Sequence, residues 1–381
     1  MTRTYDVGIV GAGIHGASAA FHLASMGASV AIVEKTTPAG GPTGVSSAVC
    51  RAYYTNRFLA ECARDSIAMF ENFEALVGAD AGHRRTGIYF LHPQADAEEA
   101  RGSAQRLGEL RIDIDLLEGE GLAAALPGFD LDGVAVGAFE RNAGYADPHA
   151  ATNGLFAKAV ELGATPLLGR TVVGIESGPT MVLDDGEHIQ CGRVLVAAGP
   201  WTKPLAAMVG ADLPLTVERH IVVSFQWAGV EPVPAYGDIA AGYYVRPEGG
   251  DLFIAGPLLP EPEVDPDHFQ TQVRPEETES LAEKIMRRVP RLEGVAVQSG
   301  WASLYDVSPD WQPVVGEIAP DVFVDAGTSG HGFKLAPALG RHVAAMVLGD
   351  ETDPGLLEFS PDRFATGHAL SAGYGDARIL G

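Results

Sequence analysis

The chain has 381 residues, of which 46% are apolar and 20% charged, so it is a globular protein of about two domains and not a disordered one. A formal net charge of −24 leaves no basic surface for a nucleic acid or an anionic membrane, and we expect neither partner. The three cysteines (Cys50, Cys62 and Cys191) lack the spacing of a metal site or a disulfide framework, so we expect no metal and a reducing, cytoplasmic location.

The first 34 residues predict a β–α–β unit. The apolar run YDVGIV predicts a buried strand, the pattern from Ala17 to Met26 a helix, and SVAIVE a second strand that ends at Glu34. His15 and His22 interrupt the apolar run, and no positively charged segment with a cleavage site precedes it. We therefore expect neither a signal peptide nor a membrane span here.

The middle of the chain alternates between strands and helices. Apolar periodicity predicts helices from Ile67 to Val77 and from about Asp147 to Gly163, and strands at 87–92, 133–139, 170–176 and 193–201. Asp185-Gly186 predicts the turn of a hairpin within 180–190.

The last part is first rich in strands and then returns to a β–α pattern. Strands are predicted at 220–225, 242–247 and 251–256, an acidic, proline-rich loop at 257–267, and a helix from Pro275 to Val289. A strand at 321–327, a glycine-rich turn and a helix to about Leu348 follow. Dinucleotide-type elements thus occur at the start, middle and end, with strand-rich insertions between them.

The GAGIHG turn after the first strand predicts nucleotide binding. Gly11 permits a tight turn, Gly13 lets the backbone approach a pyrophosphate, and Gly16 lets the helix lie close to the strand. The phosphate would lie at the positive end of the helix. Glu34 stands at the end of the second strand, where a carboxylate accepts hydrogen bonds from ribose hydroxyls.

Two further features favour FAD over NAD. The strand RVLVAAGPW, with Ala198 and Gly199 at its turn, resembles the second nucleotide-proximal turn of two-domain flavoproteins. No second GxGxxG follows another strand, so we do not expect a separate nicotinamide domain.

The segment DAGTSGHGFKLAPALG places one of only five lysines where a glycine-rich turn enters a helix. Gly330 and Gly332 leave backbone N–H groups at the helix start, which suits the pyrimidine edge of a flavin. Lys334, one turn further, would offer a cation to a substrate carboxylate. The alternative is a solvent-exposed lysine, and the apolar residues around Lys334 argue against it.

Other candidates for substrate contact stand among aromatic residues. Arg51 in SSAVCRAYYTN can grip a carboxylate with its planar guanidinium, or it can lie over aromatic rings at the surface. Tyr243 and Tyr244 alternate across a strand, so one faces the site, and the pattern alone does not say which. His220 and His331 are possible acid–base groups, although a lone histidine is more often structural.

Taken together, GAGIHGASAAFHLA, SSAVCRAYYTN, GYADPHAATNGL, RVLVAAGPWT and SPDWQPVVG…GTSGHGFKLAPALG resemble the D-amino-acid oxidase superfamily, in its sarcosine oxidase and dimethylglycine dehydrogenase branch. The resemblance implies an α/β fold in which a Rossmann-like FAD-binding domain is interleaved with an α+β substrate domain built on an antiparallel sheet. The implied chemistry is removal of a hydride from the carbon next to an amine nitrogen, which gives an imine that water hydrolyses.

The resemblance also implies the site residues. Cofactor contacts are expected from Gly11, Gly13, Ile14, His15, Gly16, Glu34, Lys35, Ser46, Ser47, Val172 (through its backbone, to the adenine), Ala198, Gly199, Gly330, Gly332, Phe333 and Lys334. Catalytic or substrate-holding roles are expected from Arg51, Lys334, Tyr244 and His331. The expected FAD-binding domain comprises residues 1–84, 144–215 and 298–381, and the expected substrate domain residues 85–143 and 216–297.

Three positions depart from the family's pattern. Ser303 stands where monomeric sarcosine oxidases attach the flavin through a cysteine, and no histidine lies near Ser46 and Ser47, where other relatives attach it. Both departures imply FAD that is bound non-covalently. Ile254 stands near the position of an oxygen-activating lysine, which leaves the electron acceptor open between oxygen and another carrier.

The sequence therefore predicts an FAD-dependent enzyme that oxidises the C–N bond of a small amino acid, with an N-alkyl or cyclic amine as its substrate. An oxidase or dehydrogenase of glycine or a D-amino acid is the alternative within enzymes. A flavin-binding electron-transfer or scaffold subunit of a larger complex is the alternative outside them, and a homo-oligomer is possible.

Overall fold

The computed structural model describes residues 3–227, 229, 231–371 and 374. Within this part of the chain the strands form two sheets of eight strands and one of three, and helices cover the first sheet. The expected α/β class, with a Rossmann-like part and a mostly antiparallel part, is confirmed. The outer ends of the expected FAD-binding segments, 1–2 and 375–381, lie outside the described residues.

The strands, in chain order, are β1 Arg3–Val10, β2 Val30–Glu34, β3 Val49–Cys50, β4 Arg84–Arg85, β5 Ile88–His92, β6 Ile114–Leu117, β7 Val136–Glu140, β8 Gly144–Tyr145, β9 Thr165–Leu168, β10 Val172–Glu176, β11 Thr180–Leu183, β12 His188–Val196, β13 Thr216–Gln226, β14 Tyr236–Asp238, β15 Tyr243–Gly249, β16 Leu252–Pro257, β17 Ala296–Val307, β18 Val314–Ala319 and β19 Val322–Ala326.

The helices are α1 Ile14–Ser25, α2 Arg57–Glu71, α3 Phe73–Val77, α4 Ala97–Glu109, α5 Gly119–Ala125, α6 Pro148–Glu161, α7 Thr202–Ala207, α8 Pro275–Arg288, α9 Gly332–Leu348, α10 Pro354–Leu357 and α11 Asp362–Ala365. The first helix begins three residues earlier than predicted. The helix predicted from Ile67 to Val77 is wrong in its start: α2 begins at Arg57, capped by the Asn56 side chain, and a break at Asn72 separates it from α3.

The first sheet forms the nucleotide-binding type of core. Strands β19, β12, β1, β2 and β9 run parallel in that order, and α1 connects β1 to β2. β11 and β12 form the hairpin predicted from Asp185-Gly186, β10 pairs antiparallel with β11 beyond it, and β18 lies antiparallel beside β19. All residues of β19 and the first four of β2 are buried, as is typical of strands covered on both faces.

Helix α9 is fastened to its neighbours around Pro337. A proline inside a helix lacks the N–H for one backbone hydrogen bond, and three side chains bond to backbone groups at and beside Pro337. Ser18 Oγ donates to the Ala336 carbonyl at 2.7 Å, Ser66 Oγ accepts from the Ala338 N–H at 3.0 Å, and His22 Nε2 lies 2.8 Å from the Pro337 carbonyl. These bonds tie α9 to α1 and α2, so the start of α9 lies at a defined position beside the first nucleotide-binding turn.

The second sheet stands beside the first and has the strand order β17–β13–β16–β15–β14–β5–β7–β6. All its pairings are antiparallel except that of β14 with β5. Seven of its strands come from the two stretches expected to form the substrate domain, and β17 lies mostly beyond the second stretch. Strand β17 crosses the expected boundary between residues 297 and 298, and residues 228 and 230 lie outside the described part, so the division into domains stays a prediction.

A small sheet of β3, β8 and β4 joins the two large ones. Among the described residues, no helix is long and apolar enough to span a bilayer. No group of three or more histidine, cysteine, aspartate or glutamate side chains in that part of the chain is arranged to hold a metal ion.

Candidate active site

A cavity of about 660 Å³ opens at the carboxyl ends of β1 and β2. In sheets of this kind ligands bind outside the carboxyl ends of the parallel strands. Of the residues expected to contact a cofactor, the following line it: Gly11, Gly13, Ile14, His15, Glu34, Lys35, Ser46, Val172, Ala198, Gly199, Gly330, Gly332 and Phe333. The structure thus brings together residues from six separate segments of the chain.

The three glycines of the first turn have different structural roles. Gly11 has a φ of +102°, which favours glycine, and a Cβ there would lie 2.5 Å from the Ala197 carbonyl oxygen. A Cβ on Gly16 would lie 2.0 Å from the Gly11 carbonyl oxygen, so Gly16 lies beneath the cavity and lets helix and strand approach. A Cβ on Gly13 would meet only Thr43 Oγ1, at 3.1 Å, and otherwise project towards the cavity.

Glu34 is held at the end of β2 by the turn it faces. Its Oε2 accepts from the Ala12 N–H at 2.9 Å, and its Oε1 accepts from the Thr36 N–H at 2.8 Å. The carboxylate is half-buried at the cavity wall, with its orientation fixed by these bonds. A carboxylate at this position suits the hydroxyls of a ribose.

Lys35 is part of a contact that closes one end of the cavity. Its Nζ lies 3.2 Å from the centre of the Trp201 ring, and Trp201 Nε1 donates to Asp267 Oδ1 at 2.8 Å. Burial lowers the pKa of Lys35, while Asp267 and Glu34 act in the opposite direction. Asp267 belongs to the acidic, proline-rich loop, so that loop covers the nucleotide end of the cavity, a role the sequence analysis missed.

His15 joins the first turn to the start of α9. Its Nδ1 lies 2.9 Å from both carboxylate oxygens of Asp325, and its Nε2 lies 3.1 Å from the Gly332 carbonyl oxygen. Both ring nitrogens face acceptors, an arrangement that only the doubly protonated imidazolium satisfies fully. Burial alone would lower the pKa of His15, but Asp325 and Asp306 raise it above its usual value. His15 and Asp325 therefore form a pair at the cavity wall.

A second cavity, of about 90 Å³, adjoins the first. The two share Ser46, Tyr305, Gly330 and Phe333 as lining residues. The smaller cavity lies between the glycine-rich turn before α9 and the second sheet. It is further lined by Ser47, Arg51, Ile88, Phe90, Tyr244, Arg246, Leu258 and Lys334, among others.

Arg51 and Lys334 are both buried at this cavity, with 4% and 5% of their surfaces exposed. Arg51 Nη1 donates to the Tyr53 carbonyl at 2.5 Å, and its Cζ lies 4.3 Å over the Tyr54 ring. Burial, followed by repulsion from Arg51, holds the pKa of Lys334 well below its usual range. An arginine and a lysine in so small a space favour an anionic ligand, which would in turn favour the charged form of Lys334.

Tyr244, and not Tyr243, faces the cavity. Tyr243 points to the other side of β15, where its hydroxyl lies 3.1 Å from the Tyr236 hydroxyl and donates to the Lys284 carbonyl at 3.3 Å. Burial raises the pKa of Tyr244, against a hydrogen bond with Ser47, so its phenol stays protonated and can donate. Strand alternation also puts Arg246 on the Tyr244 side, a lining residue that the sequence analysis did not identify.

His331 lies beside the site but lines neither cavity. It is fully buried, with its ring centre 5.6 Å from that of Tyr54, and neither ring nitrogen has a hydrogen-bond partner among the described residues. Burial, with help from Lys334 and Arg51, holds its pKa well below its usual value. A neutral, enclosed imidazole of this kind supports the start of α9, so the structure does not place His331 against a substrate.

The residues of the larger cavity fit FAD chemically. Its nucleotide end combines the glycine cradle, the N-terminus of α1 and the Glu34 carboxylate. Its other end meets the N-terminus of α9 next to the small cavity. Ser303 lines the large cavity with its Oγ 3.5 Å from the Pro42 carbonyl oxygen, so this position carries a hydroxyl group and not a thiol.

Known proteins resemble the chain over nearly its whole length. The model of a family described as FAD dependent oxidoreductase (DAO) matches residues 6–346. Monomeric sarcosine oxidase of Streptomyces avermitilis is 24% identical over 400 residues, covering 97% of this chain and 100% of the relative. Sarcosine oxidase subunit beta of Rhizobium meliloti is 28% identical over 387 residues, covering 96% and 90%. The crystal structure of L-proline dehydrogenase from P. horikoshii shares the fold, with a TM-score of 0.87, 24% identity and coverage of 97% and 100%.

Proposed function

The chain belongs to the family of FAD dependent oxidoreductases, and on that premise we propose that it oxidises the C–N bond of a small amino acid, preferably a secondary amine, to an imine. The observation that carries the proposal is the small cavity lined by Arg51 and Lys334, two buried cations from different segments of the chain. Water hydrolyses the imine after the reaction to a carbonyl compound and the shortened amine.

The names of the relatives support an N-alkyl substrate. Both relatives are sarcosine oxidases, and sarcosine is a small amino acid whose nitrogen carries a methyl group. The cavity of about 90 Å³ suits a molecule of that size. Its apolar walls at Ile88, Phe90 and Leu258 suit an alkyl substituent, so glycine or a D-amino acid is the second choice.

The chain's own residues would bind and prepare the substrate. Arg51 and Lys334 hold the carboxylate, since hydrogen bonds between charged groups are the strong ones. Their charge and the burial of the site lower the pKa of the substrate amine, which leaves a lone pair free on its nitrogen. The Tyr244 phenol lies at the same cavity and can donate to the substrate. Bound FAD supplies the acceptor for the hydride.

A substrate panel tests the proposal. The FAD-loaded protein is assayed with a dye as electron acceptor against N-methyl amino acids, cyclic amino acids, glycine and D-amino acids, each beside its decarboxylated amine. We expect the highest kcat/KM for a small secondary amino acid. Turnover of amines without a carboxylate at equal kcat/KM would contradict the proposal, and highest activity on glycine or a D-amino acid would select the primary-amine alternative.

We expect the FAD to be released intact by acid precipitation. Ser303 lines the cavity in place of a cysteine, and Ser46 and Ser47 have no histidine beside them, so the described chain offers no nucleophile at either family position. The measurement is the flavin absorbance of the supernatant and of the washed pellet. Flavin that stays in the pellet would show a covalent bond and overturn the expectation.

We also expect oxygen to reoxidise the reduced protein more slowly than a dye does. Ile254 is 1% exposed on β16 and pairs across the sheet with Arg246, so an alkyl group stands near the position where the family resemblance implies an oxygen-activating lysine. Stopped-flow mixing of the reduced protein with oxygen gives the rate. Reoxidation faster than turnover would contradict this expectation and assign oxygen activation to another cation, with Lys334 as the first candidate.

A place in a larger assembly is the second candidate function. One relative is a beta subunit by name, which supports association with other chains, and a homo-oligomer is the simpler form of the same proposal. A cytoplasmic location rests on the three cysteines, all of them described and all buried free thiols. Measurement of the mass in solution, with and without a cell extract, tests both forms of association.

A further inference from the structure

Glu140 is a buried carboxylate that the reaction as described does not use. It ends β7 with 1% of its surface exposed, and it lines neither of the two cavities. Its side chain crosses from the second sheet to the segment that follows β3. That segment carries Arg51.

Both carboxylate oxygens of Glu140 accept from successive backbone N–H groups. Oε1 accepts from the Ala52 N–H at 2.7 Å, and Oε2 accepts from the Tyr53 N–H at 3.0 Å. Residues 51–54 belong to no helix or strand, so these bonds replace the ladder that a strand would provide. The two N–H groups come directly after Arg51, whose backbone is thereby fixed.

Arg246 holds the same segment on the other side of Arg51. Its Nε donates to the Ser47 carbonyl at 2.7 Å, and its Cζ lies 4.2 Å over the Tyr145 ring. Strands β7 and β15, which carry Glu140 and Arg246, belong to one sheet. The segment from Ser47 to Tyr53 is therefore held at both ends by buried charged groups of the second sheet.

The ionised carboxylate of Glu140 does not stabilise the fold at neutral pH. Burial raises its pKa to about 7, although the N–H groups of Ala52 and Tyr53 and the cations Arg51 and Lys334 favour the charged form. Because this pKa lies above the usual 4.5, the contribution of the group to folding stability is greatest below pH 4.5 and is lost as the pH rises through about 7.

We propose that Glu140 is a positioning residue that places the Arg51 guanidinium for the substrate carboxylate. The inference rests on the proposed function, and it adds a specificity determinant that does not touch the substrate. Without the bidentate contact, the backbone at Ala52 and Tyr53 loses its partners and Arg51 no longer points to one place. The acid is then bound less tightly, while an amine that lacks a carboxylate is unaffected.

Glu140→Gln removes this contact at almost constant volume. The amide offers one oxygen, so its NH₂ group faces one of the two N–H donors and repels it. We expect KM for the best amino acid to rise about tenfold, because one hydrogen bond to a charged group is lost. We expect kcat for that amino acid, and KM for its decarboxylated amine, to stay within about twofold of wild type. Glu140→Asp keeps two oxygens on a shorter stem, and we expect it to recover part of the affinity.

Equilibrium binding gives a readout that needs no turnover. Methoxyacetate carries the carboxylate but no amine, and its titration into the FAD-loaded protein is followed by the change in flavin absorbance. We expect the dissociation constant to rise about tenfold in Glu140→Gln. In an Arg51→Met background Glu140→Gln should have no further effect, because the two residues act through one contact. If Glu140→Gln does not fold, the same titration is done with Glu140→Asp. We expect Glu140→Asp to bind methoxyacetate several-fold more weakly than wild type.

Asp310→Asn is the matched control. Asp310 is a buried carboxylate that pairs with Arg363 at 2.8 Å, and it lines neither cavity. Loss of this ion pair should lower the unfolding temperature without changing the preference of the protein for the amino acid over its decarboxylated amine. The inference would be overturned if the Glu140 variants bound methoxyacetate like wild type. It would also be overturned if Glu140→Gln weakened methoxyacetate binding as much in the Arg51→Met background as in the wild-type background. A wild-type protein without any preference for the acid would instead overturn the proposed function.

Discussion

Gly13→Val protein is expected to fold and yet to bind FAD at least about a hundredfold more weakly than wild type, a loss of about 2.8 kcal/mol. Gly13 has φ −67° and ψ −178°, a conformation that valine adopts without strain. The added Cβ would meet only Thr43 Oγ1, at 3.1 Å, so the fold can accept it. The side chain then occupies the space beside the N-terminus of α1, where a pyrophosphate would lie.

Two other glycines show why this position is informative. Gly16→Ala would put a Cβ 2.0 Å from the Gly11 carbonyl oxygen, so its failure would report on folding and not on the cofactor. Gly108→Val is the matched control, because Gly108 is exposed on α4 and a Cβ there has no neighbour within 4 Å. Flavin content after desalting, FAD titration of the apoprotein and thermal unfolding separate the outcomes. Normal FAD affinity in a folded Gly13→Val protein would refute the assignment of this turn to the cofactor.

Lys334→Met and Arg51→Met are each expected to raise the dissociation constant of the best amino acid by about ten- to a hundredfold. A hydrogen bond to a charged group contributes roughly 1.5–3 kcal/mol, and each variant loses one. Both cations line the small cavity, and neither lines the large one, so FAD content should stay near normal. Loss of either cation should also slow flavin reduction, because the pKa of the substrate amine is then less strongly lowered.

The comparison of an acid with its decarboxylated amine isolates the carboxylate in this prediction. Anaerobic titration of each variant with both compounds gives the two dissociation constants. Lys158→Met is the control, since Lys158 lies on α6, pairs with Glu161 at 2.7 Å and lines neither cavity. Variants that bind the amino acid like wild type, or that lose affinity equally for the amino acid and for its decarboxylated amine, would show that Lys334 and Arg51 have another role.

Local patterns in the sequence were sufficient to predict the first turn that lines the large cavity. The φ of +102° at Gly11 and the missing Cβ of Gly13 are properties of the turn itself, and the strand and helix around them follow from apolar periodicity. The turn before α9 was recognised for the same reason. Both features depend on neighbours within a few residues.

The parts that were missed depend on contacts between distant segments. Glu140 acts on residues 52 and 53, and Asp267 on Trp201, and no local pattern reveals either pair. The choice of Tyr244 over Tyr243 follows from which face of the second sheet meets the glycine-rich turn. Alternation along β15 would have added Arg246 once that face was known.

The role of His331 stays a prediction, and its surroundings show a different limit of local patterns. Its position next to the glycines of the turn suggested a catalytic group, but the packing of Tyr54 and α9 encloses it completely. Whether a histidine near a site is enclosed or exposed is decided by side chains from other segments, which the sequence around it does not contain. The helix start at Arg57 was missed although the buried residues of α2, from Phe58 and Leu59 to Phe70, already repeat with a helical period.

The most direct measurement is a single anaerobic mixing of the FAD-loaded chain, alone, with an N-methyl amino acid and separately with its decarboxylated amine. The central claim is that this chain itself oxidises an amino acid held by its carboxylate at Arg51 and Lys334. We expect the amino acid to bleach the flavin in one turnover without any other protein, and the amine at the same concentration to do so at least about tenfold more slowly. A flavin that stays oxidised with every amino acid tested, or that both compounds bleach at the same rate, would contradict the claim.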